Sequence, residues 1–158
     1  MANNKKDKPK IEINNRKAKF NYEFLDTFVA GIVLTGTEIK SIRAGKASLV
    51  DTYCTIDQKG EMWMKNSYIA KYADGGFINH EERRERKLLL NKKEIRKLAN
   101  EAKNPRMTIV PVKMFINEHG LCKVLIALAR GKREYDKRET IKNEDAKREL
   151  QRVIKKYS

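Results

Sequence analysis

The sequence predicts a mainly β protein: a small antiparallel barrel with short inserted helices, followed by a basic C-terminal tail that is disordered when free. Three observations carry that expectation. Apolar and polar residues alternate over about six stretches, as half-buried strands require. Glycines fall where such strands would turn or bend, and one short helical segment lies between strands, where it can plug a barrel end. From Gly131 onward, Lys and Arg alternate with Glu and Asp and few apolar residues remain. On pattern alone a two-sheet sandwich stays open beside the barrel.

The chain of 158 residues, 40% of them hydrophobic, has room for one modest core. The expected division is an arm over 1–13, a barrel domain over 14–130 and a tail over 131–158. Thirty-six Lys and Arg against 21 Asp and Glu leave a formal charge of +15. A field of that sign concentrates polyanions, nucleic acid first and an acidic membrane surface second. No apolar run reaches the roughly 20 residues of a membrane span. Met1 to Lys10 has lysines but no apolar segment behind them, so no signal peptide is expected and the protein is placed in the cytoplasm. Cys54 and Cys122 have no Cys or His at metal-ligand spacing and are read as buried, reduced core residues.

In order, Asn14 to Lys19 leads into Phe20, Tyr22 and Phe24, which alternate with polar neighbours as a half-buried strand would. After Asp26-Thr27 a second run puts Phe28, Ala30, Ile32 and Leu34 on one face, with Gly31 marking a bulge or a close approach. Thr37 is the expected cap of a short helix that turns Ile39 and Ile42 inward and ends at Gly45. That leaves Lys40 and Arg43 on one exposed side, with Lys46 just beyond. Residues 47–57 read as one strand, paired through the 58–61 turn with Met62 to Lys65. Tyr68, Ile69, Tyr72 and Phe77 surround Gly75-Gly76 in a looser segment, where core or loop packing is expected over base stacking.

Glu81 to Lys87 reads as a flexible or weakly helical charged loop. Asn91 and Glu94 then make a capping box for a helix with Ile95, Leu98, Ala99 and Ala102 inside. Two strands follow: Thr108, Val110, Val112, Met114 and Ile116 lie on one face of the first, and after the turn over 117–120 come Cys122, Val124, Ile126 and Leu128. Pro111 lacks a backbone donor, so its strand is expected at an edge or bulged. Lys113 and Lys123 point away from the apolar faces. In the tail, Ala146, Leu150, Val153, Ile154 and Tyr157 form one thin helical stripe, with Ile141 ahead of it. A helix with so little to bury is marginal until a partner receives it, and a solvated tail that only aids solubility is the plainer alternative.

Catalysis finds little support. His80 and His119 lie outside any local metal motif, and no nucleophile elbow, phosphate-binding glycine loop or HExxH helix occurs. No enzyme activity and no cofactor are expected, a nuclease with groups converging in space being the enzymatic alternative. Cations gather in three places instead: Lys40 to Lys46, Arg83 to Lys87, and the tail.

Several stretches together resemble one family. They are Asn15-Arg16-Lys17-Ala18, the run from Ala30 to Lys46 with its GTEIKSIRAGK core, Arg86-Lys87-Leu88-Leu89-Leu90-Asn91, Lys123-Val124, Ala129-Arg130-Gly131-Lys132 and Tyr135-Asp136-Lys137-Arg138. In this order they are similar to the SsrA-binding proteins, the small protein B family. The resemblance implies an oligonucleotide-binding-type barrel, acting as a monomer, that binds the tRNA-like domain of transfer-messenger RNA. It also implies delivery of that RNA, with elongation factor Tu, to the decoding centre and message channel of stalled ribosomes, where the nascent chain is tagged. The implied RNA contacts are Lys40, Arg43, Lys46, Lys87, Leu89, Asn91 and Lys123. Implied ribosome contacts are Gly131, Lys132, Tyr135, Asp136, Lys137 and Arg138. Where that family usually has an acid before Ala-Gly, this chain has Val29, which is not carried over as a site. A structural ribosomal or general RNA-binding protein is the rival reading.

Overall fold

The computed structural model describes residues 11–133, 137–138 and 141–149. Its elements run β1 (Ile11–Asn14), α1 (Arg16–Asn21), β2 (Tyr22–Ile32), α2 (Gly36–Arg43), β3 (Ala47–Ser48), β4 (Tyr53–Ile56), β5 (Met62–Lys65), β6 (Tyr68–Ile69), β7 (Arg86–Leu89), α3 (Lys92–Glu101), β8 (Met107–Ile116) and β9 (Cys122–Gly131). The protein is mainly β, with one large antiparallel sheet and short helices between its strands.

Seven strands pair in the order β1-β8-β4-β5-β7-β2-β9, and β8 also pairs with β9, so six of them close a circuit. β9 lines one edge of β8 from Met107 to Ile116. The other edge is shared: β1 pairs with residues 113–116, and β4 meets β8 through Cys54 opposite Ile109. Inside the circuit Met62, Met64, Leu88, Met114, Val124 and Ile126 are buried together, with Ile42 of α2 and Leu98 of α3. Each such side chain contributes roughly 1.5–3 kcal/mol on leaving water. A smaller cluster of Ala18, Val110 and Ala129, flanked by Tyr22 and Phe24, seats α1 on the outside of β8 and β9.

Two expectations shift at the N-terminal end. Residues 11–13, expected in the arm, belong to β1: Ile11 and Ile13 pack on the core while β1 pairs with β8. Of the strand expected at Phe20, Tyr22 and Phe24, Tyr22 and Phe24 lie in β2, but Phe20 belongs to α1. Asn15 decides the helix locally, its Oδ1 accepting from the Ala18 N–H at 3.2 Å and its Nδ2 donating to Pro111 O at 2.8 Å. β2 then runs unbroken through Asp26-Thr27. Its irregularity falls between Phe24 and Asp26, whereas Gly31 keeps regular register.

Residues 47–57 are two strands. Asp51, at φ +57, breaks the run, so β3 leaves the main sheet to pair with β6. In β8 the shift between Pro111 and Lys113 meets the expectation of a bulge there. It also splits the expected face, because an extra residue reverses inside and outside: Met114 and Ile116 face inward as expected, and Val110 before the shift does not. Ile109, Met114 and Ile116 share the main core, while Val110 faces α1. The charged run over 81–87 is not a free loop: Arg86 begins β7 and is completely buried. Cys54 and Cys122 are buried free thiols, as expected, and burial pushes both up to about 12. Residues 141–149 are helical and exposed throughout. The rest of the expected stripe, Leu150, Val153, Ile154 and Tyr157, lies outside the described residues, as does the arm over Met1 to Lys10.

Candidate nucleic-acid interface

The α2 helix is fixed at both ends by local chemistry. Thr35, not Thr37, is its cap: the Thr35 hydroxyl accepts from the Glu38 N–H, and a Glu38 oxygen accepts from the Thr35 N–H at 2.9 Å. Thr37 instead reaches the ring of His80. At the far end Gly45, at φ +73, lets its own N–H reach Ile42 O and the Lys46 N–H reach Ser41 O, both at 2.9 Å. Ile42 is buried and Ile39 packs on the core, which turns Lys40, Arg43 and Lys46 to solvent.

Beneath them sits an ion pair that sequence reasoning missed. Glu38 is fully buried and accepts from Arg84 Nη2 at 2.5 Å and from Arg86 Nε. Arg86 spends its remaining donors on Ser67 Oγ, at 2.9 Å, and on the carbonyls of Ser67, Arg84, Glu81 and Glu82. Burial pushes the Glu38 carboxyl up, but Arg84, the Thr35 N–H and Arg86 outweigh it and hold it below its ordinary value. His80 ties the next segment to the same place. Its Nε2 donates to Ile69 O at 2.9 Å, so in the neutral ring Nδ1 accepts from the Thr37 hydroxyl at 2.8 Å. One signal was available: Arg84, Arg86, Leu88 and Leu90 share a strand parity, which places Arg86 on the inward face.

A second group of expected residues meets across three strands. Gly31 of β2 lies opposite Leu89 of β7 on one side and Lys123 of β9 on the other. A Cβ at Gly31 would stand 3.3 Å from Leu89 Cβ and 3.8 Å from Lys123 Nζ, so the glycine keeps this row shallow. Leu89 is 51% exposed. Lys87, two residues along the same face, is half-buried and paired with Glu61 at 3.1 Å. Val29 is 55% exposed and also faces outward, two residues from Gly31. The two groups meet at the strand ends, where the Val33 N–H donates to Lys87 O at 3.0 Å just before α2 begins.

Asn91 is exposed and caps α3: its Oδ1 accepts from the Glu94 N–H at 2.9 Å, while Glu94 returns a bond to the Asn91 N–H at 3.2 Å. The cap and the expected RNA contact are separable by substitution. Asn91→Ser should keep the cap within a few tenths of a kcal/mol, and Asn91→Ala should lose about 1 kcal/mol by thermal unfolding. If RNA affinity falls equally in both, the amide itself is the contact; a fall in Ala alone assigns Asn91 to the cap.

Of the expected ribosome contacts, Gly131 ends β9 opposite Tyr22, and the Lys132 N–H donates to Asn21 O at 2.8 Å. Lys137 and Arg138 are helical, with the Lys137 N–H on Arg133 O at 3.1 Å. Tyr135 and Asp136 lie outside the described residues. Among the described residues no cluster of three or more His, Cys, Asp and Glu is arranged to hold a metal, and no helix is long and apolar enough to cross a membrane.

Comparison with known proteins covers nearly the whole chain. The family model described as SmpB protein matches residues 12–156. An SsrA-binding protein of Phocaeicola vulgatus is 63% identical over 146 residues, spanning 92% of this chain and 97% of that one. The SsrA-binding protein of Parabacteroides distasonis is 60% identical, over 92% and 95%. A solved structure described as "tmRNA-SmpB: a journey to the center of the bacterial ribosome" superposes with a TM-score of 0.66 at 44% identity, covering 82% of this chain and 94% of that chain. The chain belongs to the SmpB family, the family of the SsrA-binding proteins.

Proposed function

We propose that the protein binds the tRNA-like domain of transfer-messenger RNA and delivers it, with elongation factor Tu, to stalled ribosomes for rescue and tagging of the nascent chain. The observation that carries this reading is the exposed trio of Lys40 and Arg43 on α2 and Lys46 just beyond it, with the helix held from below by the buried Glu38–Arg86 pair. A rigid cationic surface reads folded RNA through its phosphates and shape. The names of the relatives, SsrA-binding protein, and the pairing of tmRNA with SmpB in the described ribosomal structure support the choice of RNA and of particle.

The body is an oligonucleotide-binding-type barrel, a reading supported by the closed circuit of strand pairings with α2 at the ends of β2 and β7. It binds rather than catalyses, and it works in the cytoplasm, where the ribosomes are. The segment from Gly131 onward is the part that meets the ribosome: Lys137 and Arg138 take phosphates, and the helix beyond finds its partner in a message channel left empty.

Replacing Lys40 and Arg43 together by Glu tests the RNA surface. In a gel-shift titration against the tRNA-like domain, affinity should fall and the slope of log K against log salt should flatten by about 0.9 for each phosphate no longer neutralised. An unchanged affinity places the RNA elsewhere. Co-purified RNA separates the rival reading: one abundant species of roughly a few hundred nucleotides favours rescue, and bulk ribosomal RNA favours a general RNA-binding protein.

A further inference from the structure

The aromatics of segment 70–80 are expected to pack on core or loop, and Phe77 does the opposite. Phe77 is 108% exposed and Ile78 87%, against 57% or less for every other exposed large apolar residue described. The segment that carries them is closed by hydrogen bonds. The Tyr72 N–H donates to Asn79 Oδ1 at 3.2 Å and Asn79 Nδ2 donates to Tyr72 O at 2.8 Å, so one side-chain amide clasps the backbone across the loop. Inside the clasp the Gly75 N–H donates to Tyr72 O at 3.0 Å and the Ile78 N–H to Gly75 O at 3.2 Å.

Glycine is needed twice. A Cβ at Gly75 would come within 2.7 Å of Asn79 Nδ2 and 3.2 Å of Thr37 Cγ2, and Gly76 sits at φ +56. The next residue after the clasp, His80, is buried and held by Thr37 and Ile69. The loop therefore rests against the first turn of α2, and Lys40 Nζ stands 5.2 Å from the Tyr72 ring centroid. Lys71 is exposed beside it, and Asp74 is the acid of the segment.

A fully exposed ring on a braced loop costs apolar hydration without any return inside the fold. The loop that carries it rests against α2, the helix proposed to hold RNA, with Lys71 in the loop and Lys40 beside it. We infer that Phe77 is a stacking platform for an unpaired base of the bound RNA, with Lys40 and Lys71 taking the flanking phosphates. Bracing matters because a preformed platform pays less ordering entropy on binding. Ring faces accept any base, so Phe77 adds affinity with little sequence preference. This inference rests on the proposed RNA binding and adds to it a contact made by a ring instead of a charge.

The test uses the full-length chain and the tRNA-like domain RNA, with wild type, Phe77→Ala, Phe77→Leu and Phe77→Trp. All four should unfold at the same temperature, since the side chain supports nothing in the fold. Phe77→Ala and Phe77→Leu should both weaken binding by roughly 5- to 150-fold, the range of one base stacked on one ring. The salt slope should stay that of wild type, because no cation is removed. Phe77→Trp should bind as wild type, with its added indole emission quenched by RNA. Wild-type affinity in Phe77→Ala overturns the inference while leaving the RNA function standing. Recovery by Leu also overturns it, because mere apolar burial, as in a pocket on a protein partner, would then suffice. If wild type fails to bind this RNA, both the inference and the proposed function fall.

Discussion

Glu38→Ala should destabilise the protein by about 3–5 kcal/mol, the cost of leaving a buried charge without its partner. Arg86 is completely buried and its neighbours offer carbonyl oxygens, which satisfy donors but do not neutralise a cation. The same change removes one half of the α2 capping box. For a folded unit of this size the unfolding midpoint should drop by about 10–20 °C. Replacing both partners, Glu38→Leu with Arg86→Met, should recover much of the stability, because desolvation is then no longer demanded of either charge. A destabilisation below about 1 kcal/mol in Glu38→Ala would mean that α2 is held by Ile42 alone.

The pair also sets an acid limit. Glu38 is held below its ordinary value of 4.5 in the folded protein. Its stabilisation is therefore complete above that value and is lost as pH falls through the depressed one. Chemical denaturation followed below about pH 4.5 should show wild type losing stability more steeply than Glu38→Gln, which has no such proton to take up.

What the sequence reveals and hides follows from the range of each interaction. The faces of β2 and β9 are legible because alternation is a property of neighbouring residues, and the Asn91–Glu94 box is legible because it closes within four. The same holds for the exposure of Lys40, Arg43 and Lys46. Arg86 hides because its charge sits in a run of charges, while its burial is decided by Glu38, 48 positions away. α1 hides for a related reason: the alternation of Phe20, Tyr22 and Phe24 is real and Tyr22 and Phe24 follow it in β2, but the Asn15 cap starts a helix that takes Phe20. The β8 bulge keeps the strand and reverses its faces, so the expected inner row is right at Met114 and Ile116 and wrong before the bulge. Lys123, Leu89 and Gly31 become one surface only through register, which no local pattern encodes. Phe77 is the converse case, an apolar residue whose type argues for the core while a clasp on Tyr72 holds it out.

Deleting residues 134–158 should separate the two tasks of the chain. The segment holds eight Lys and Arg against six acids, so its removal takes only two of the fifteen net positive charges and leaves the field of the body nearly whole. Within the described part, residues 141–149 are exposed along their length, and Ile141 is 47% exposed. Removing them therefore opens no core. Affinity for the tRNA-like domain should stay within about threefold of the full chain, a change of less than 1 kcal/mol. Tagging of nascent chains on ribosomes stalled without a stop codon should fall to background, because the groups that recognise an empty channel go with the segment. On the proposed reading the segment takes its order from the partner's phosphates, a coupling that costs a few kcal/mol. Recognition then depends on many weak contacts, so Lys137→Ala or Arg138→Ala alone should lower tagging only in part, and a truncated chain that still tags would assign ribosome recognition to the body.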